Sequence, residues 1–230
     1  MSDASSTRIG GNALLIGGVL WVFGQLFHPD ASTTELMASV NRVRWSAVHW
    51  AYLAGDALLV AGLLLLLRHL ASARSGSSEG WSAIAFATGV IAFTLDAVAT
   101  SIHLMAFPRA PGSPVTSQSI FDAVGAVNAS VGGVGFGLAC LSLVTLGVAL
   151  ARSGWSPTVA YGAVIVGGIQ FLLFVPATLG VEALLPVGVV TNLVNATMPA
   201  WFAVIGVAFG RVAPAASASL AVPLAEAGGR

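Results

Sequence analysis

Six apolar runs dominate this chain, and runs of roughly 20 residues are what a helix needs to cross a hydrocarbon core of about 30 Å. They fall at about residues 9–28, 45–69, 81–107, 120–151, 157–180 and 187–210. Lipid offers no partners for backbone N–H and C=O groups, so continuous apolar runs of this length must satisfy those groups internally, as helices. Only 8% of the 230 residues are charged and 57% are hydrophobic, with a mean hydropathy of +0.91. A soluble domain carries about 25% charged residues, so this set cannot build a surface that faces water all round. The fold class is therefore all-α, a polytopic membrane helix bundle with six transmembrane helices. One domain is expected over 1–211, with the Ala/Pro-rich stretch 212–230 as a disordered cytoplasmic tail and residues 1–7 also disordered. The fourth run is long, which predicts a tilt or an interfacial turn at its start.

Charge placement sets the expected orientation. Arg8, Arg68, Arg74, Arg152, Arg211 and Arg230 fall on one side of a six-span topology, against Arg42, Arg44 and Arg109 on the other. The excess marks the first side as cytoplasmic and puts both termini there, in a cell membrane. Trp45, Trp81 and Trp155 each open a span, as interfacial anchors do. The first run has no small-residue cleavage site after it, only Phe27-His28-Pro29-Asp30, and reads as a retained helix. Between the first two spans, Ser32-Thr33-Thr34-Glu35 fits a capping box ahead of a short interfacial helix. The proline-rich stretch 108–119 is expected to be irregular.

Composition also excludes chemistry. Nine arginines balance nine acids and lysine is absent, so there is no basic patch for a nucleic acid and no amine for a retinal Schiff base. Cys140 is the one cysteine, which rules out an internal disulfide and thiolate clusters.

The polar residues within the spans are few and patterned. His49 and Asp56 lie seven residues apart in the second run, and Asp96 and His103 lie seven apart in the third, in reversed order. Seven residues is two helical turns, so each pair shares a face. Antiparallel neighbours would set His49 level with His103 and Asp56 level with Asp96. Gln25 and His28 close the first span on one face, Thr100 joins the Asp96–His103 stripe, and Asn128, Gln170, Asn192 and Asn195 lie in the same half of their spans. This distribution predicts an outward-facing polar pocket reaching the bilayer centre, with Trp45 and Tyr52 on its wall. Asp122 follows Ser119 at cap spacing and reads as a helix cap. Glycine spacings Gly133/Gly137 and Gly206/Gly210, with Gly10, Gly11, Gly17, Gly18 and Gly24 in span one, predict close helix packing, and Pro176 and Pro199 predict kinks.

Three functional readings follow. The first is a small bundle whose pocket binds a lipid or lipophilic ligand, with the lipid bilayer itself as the other partner and the polar residues joining helices. The second is a membrane enzyme with a transition metal on His28, His49 and His103, or a haem between two of them, acting on a lipophilic substrate. The third uses Asp56 and Asp96 as catalytic carboxyls, protonating an isoprenoid as a terpene cyclase does or relaying protons in a transporter.

Leu26-Phe27-His28-Pro29 closing the first span, Arg44-Trp45 with His49 opening the second, and Arg152-Ser153 followed by Trp155-Ser156-Pro157 opening the fifth resemble a group of actinobacterial six-helix membrane proteins of unknown function. The likeness covers most of the chain. It implies six helices and no settled activity, so no functional residue is carried over from it.

Overall fold

The computed structural model describes residues 3–29, 41–72, 76–106, 118–178 and 189–212. Among them lie six helices and no strand: α1 (Asp3–Phe27), α2 (Arg42–Ser72), α3 (Gly76–Ala106), α4 (Gln118–Arg152), α5 (Pro157–Thr178) and α6 (Val189–Gly210). All six are long and apolar enough to span a membrane. The chain is an integral membrane bundle, as its composition requires.

One expectation about a helix start is corrected. Helix α1 already runs from Asp3, and Thr7 is buried with its hydroxyl donating to the Ala4 carbonyl at 3.1 Å. The first turn packs against α2 and α6 and so is not a disordered lead-in. Helix α4 is one continuous element of 35 residues beginning at Gln118, with Asp122 near its start. Of the two expectations for so long a run, a continuous helix fits a tilt and not an interfacial turn. The capping box at 32–35, the stretch 108–117, Glu182 and the tail 213–230 lie outside the described residues. A cap does stand at α2, where Asn41 Oδ1 accepts the N–H groups of Val43 (2.9 Å) and Arg44 (3.1 Å).

Each helix packs antiparallel to its neighbours, and α6 returns to α1, closing a ring. Helix α1 explains how. Gly10, Gly17 and Gly24 recur every seven residues and meet Leu65, Gly55 and Tyr52 of α2 in reverse chain order. One position along, Gly11 and Gly18 meet Gly210 and Pro199 of α6. Leu14 and Trp21 point to the interior, while Ile9, Ile16 and Phe23 stay exposed. Four faces with one seven-residue period let a single helix touch two partners, the core and lipid at once. Helix α3 repeats the outer stripe with Ile84, Ile91, Val98 and Met105. An uncharged aliphatic stripe on the outside suits hydrocarbon and would be a liability in water.

The two ends of the ring differ. In the half near the termini the interior is filled by side chains such as Leu59, Leu66, Leu143, Phe202 and Ile205, all 0–1% exposed. In the other half, near the α1–α2 and α3–α4 connections, it is hollow.

Candidate functional site

Three interior stripes stand at the hollow half, all of their residues but Asp56 on its wall. Helix α1 presents Trp21, Gln25 and His28, α2 presents His49, Tyr52 and Asp56, and α3 presents Asp96, Thr100 and His103. Each stripe spans seven residues, with a histidine at the helix end and Trp21, Asp56 or Asp96 two turns deeper, about 10 Å along the axis. Because α1, α2 and α3 alternate in direction, the three histidines come level at one end and the two acids come level below them. The cavity they line has a volume of about 410 Å³ and continues across to Asn128, Gly132, Phe136, Phe174, Asn192 and Asn195 of α4, α5 and α6.

The imidazoles of His28, His49 and His103 converge so that one nitrogen from each lies within 4.8 Å of the others. Ring centroids are 5.3 Å apart for His28–His49 and 5.7 Å for His49–His103. Trp45, 1% exposed, backs the cluster, its indole 4.2 Å from the His49 ring. The Trp45 carbonyl, one turn earlier, stands 2.7 Å from His49 Nδ1. A carbonyl can only accept, so Nδ1 carries the hydrogen and the lone pair is on Nε2. His49 Nε2 is buried and meets no hydrogen-bond partner among the described residues. His28 follows the last residue of α1, and its approach is fixed by Arg44, whose Nε donates to the Phe27 carbonyl at 2.9 Å. That bond caps α1 and ties it to the start of α2.

The acids form a second group. Asp56, 3% exposed, accepts from Trp21 Nε1 at 2.7 Å through Oδ1. Its Oδ2 meets no donor. The Asp96 carboxyl faces it, and Thr100 Oγ1 donates to Asp96 Oδ2 at 3.3 Å. Two ionised carboxylates offer acceptors alone, so a hydrogen bond between them requires one shared proton. Trp21 is further held edge-on by Tyr52 at 5.2 Å and Phe93 at 6.1 Å.

The residues expected at the site are thus distributed as follows. Gln25, His28, His49, Tyr52, Asp96, Thr100, His103, Asn128, Asn192 and Asn195 line the one cavity. Asp56 sits behind Asp96, off the cavity wall, and Trp45 supports the histidines from outside it. Gln170 is not on the wall. It is 2% exposed and its amide donates to the Val194 carbonyl and to Thr197 Oγ1 (2.7 Å), joining α5 to α6. An amide whose two N–H groups are taken by the Val194 carbonyl and Thr197 Oγ1 has structural partners, and none of its donors remains for a ligand. Gly133 lines the cavity too, while Gly206 and Gly210 do serve the close seam with α1.

Trp21, Phe136 and Phe174 complete the site and were not foreseen. Trp21 was legible, since it stands seven residues before His28, the same period that links His49 to Asp56. Phe136 and Phe174, 4.4 Å apart, give no such signal in runs rich in apolar residues.

Comparison with protein-family models, characterised proteins and solved structures returns no match for this chain.

Proposed function

We propose that this chain is a membrane metalloprotein that holds one transition-metal ion of the zinc class on His28, His49 and His103, with a fourth position turned toward the polar cavity. The observation that carries this is the lone pair on His49 Nε2, buried without a partner beside two more imidazoles. Burying an unsatisfied polar atom costs about 1–3 kcal/mol, and a bound ion removes that cost. A backbone carbonyl fixing the opposite ring nitrogen is the usual support for a metal-ligating histidine. Nitrogens around a tetrahedral ion lie about 3.4 Å apart, so the cluster needs only small side-chain rotations to close on one.

Three protein ligands and an open position are the arrangement of catalytic zinc, where the ion activates water or polarises a carbonyl. The cavity beyond it is at the small end of ligand clefts, which run from about 300 to 1,000 Å³. A lining that mixes Phe136, Phe174 and Trp21 with three asparagines fits a small amphiphilic molecule reached from the bilayer. A haem suits the geometry less well. A porphyrin held by two of these histidines would have to pass through the space of the third and of Trp45, which lies 4.2–5.9 Å from all three rings.

The test is metal binding by the full chain purified in detergent. We expect about one Zn²⁺ or Co²⁺ per chain, with the visible bands of tetrahedral cobalt, and loss of binding in His49→Ala and His103→Ala. A wild-type protein that takes up neither ion would overturn the reading.

A further inference from the structure

The carboxyl pair below the imidazoles takes no part in holding an ion, yet it is too deeply placed to be incidental. Asp56 is almost wholly buried, its Oδ1 is claimed by Trp21, its Oδ2 meets no donor among the described residues, and the Asp96 carboxyl is its side-chain neighbour. We propose that Asp56 and Asp96 form a proton-binding site in exchange with the metal site, so that loading an ion on the imidazoles expels the proton shared by the carboxyls. This rests on the reading of the histidines as metal ligands.

The groups facing the pair allow such exchange. From α1 there is Trp21, from α2 Tyr52, from α3 Thr100, and from α4 the close backbone of Gly135 beside Asp96. Asn192 and Asn195 of α6 and Asn128 of α4 share the cavity, and His28, His49 and His103 stand above it. Among the described residues no arginine lines the cavity and neither acid has an ion pair. No described group therefore compensates a second negative charge until a cation arrives. Asp96 lines the cavity and Asp56 does not, so a proton leaving the pair exits through Asp96 to water in the cavity.

The step balances without redox change. The O–H bond of the shared proton breaks, its electron pair stays on the carboxylate, the proton passes to cavity water, and the imidazoles remain neutral throughout. Its size follows from distance. Two turns of helix put the ion about 10 Å from the carboxyls. With an effective dielectric constant of about 20, a divalent ion there shifts the proton equilibrium roughly 300-fold. By linkage the shared proton weakens the ion by the same factor.

Calorimetric titration of the detergent-purified full chain with Zn²⁺, in buffers of different ionisation enthalpy and from neutral to alkaline pH, counts the protons released. Wild type is expected to release up to one proton more than the Asp56→Asn/Asp96→Asn double variant, and its affinity to rise more steeply with pH. If the double variant does not fold, the infrared difference spectrum of the wild type on adding Zn²⁺ decides: the carboxylic acid C=O stretch must diminish. Zn²⁺ binding with equal proton counts, or with that band unchanged, sinks the exchange alone. No Zn²⁺ binding at all sinks the metal site and the exchange together.

Discussion

Trp21 is where the chemistry of the cavity meets the packing of the bundle. Its indole nitrogen is the one fixed donor to Asp56, and its ring fills the space between Tyr52 and Phe93. Trp21→Phe keeps much of that ring but removes the N–H, leaving a buried carboxyl oxygen unsatisfied. The expected cost is about 1–3 kcal/mol, read as a lower melting temperature of the purified protein. Trp21→Phe combined with Asp56→Leu should recover part of the loss, because both partners of the bond are then gone. An unchanged melting temperature in the single variant would mean the bond contributes nothing. At this scale the sequence was only half legible. A period of seven marks His28, His49, Asp56, Asp96 and His103 because ionisable residues are rare in apolar runs. Gln170 looked equally distinctive, yet its amide is spent on α6, since one chain cannot reveal which of its polar groups have already found backbone partners.

Among the helices, glycine decides how near two backbones come. A methyl group on Gly11 would sit 2.5 Å from the backbone nitrogen of Gly210 and 2.7 Å from the Gly206 carbonyl oxygen. Backbone cannot rotate aside, so α1 and α6 must separate. Gly168, on α5, has nothing within 4 Å of the same methyl. Gly11→Ala should therefore cost about 1–3 kcal/mol through overpacking. Gly168→Ala should be neutral or gain up to about 1 kcal/mol from helix propensity. Unfolding in mixed micelles compares the two, and equal effects would refute the seam. Such spacings were visible in the chain as a sign of tight packing. Which partner each glycine meets was not, because Gly10 and Gly11 differ by one position and face different helices. That assignment comes from ring closure by α6, a long-range contact that local periodicity does not encode.

For the molecule as a whole, the number of spans and their alternation were readable because a bilayer permits few alternatives to apolar helices. From alternation alone the reversed His/Asp order implied that the histidines gather at one end. The hollow itself was less legible, since its far wall is made of Phe136, Phe174 and small residues that look like any other core. The consequence is that water should enter this bundle from one face. Cys140 is 0% exposed, so the natural protein should be silent to a membrane-impermeant maleimide. Asn128→Cys and Asn192→Cys, introduced singly, put a thiol on the cavity wall near the histidine end. Leu143→Cys puts one in the filled half, where the interior is dry. In sealed cells the first two should be labelled at least about tenfold faster than the third, because a thiol reacts only as an accessible thiolate. The arginine asymmetry predicts that the histidine end faces outside, and labelling is then expected with reagent added externally. Labelling only after the cells are opened would invert the orientation and leave the cavity intact. Equal labelling of Leu143→Cys would mean that water crosses the whole bundle, and the division into a hollow half and a filled half would fall.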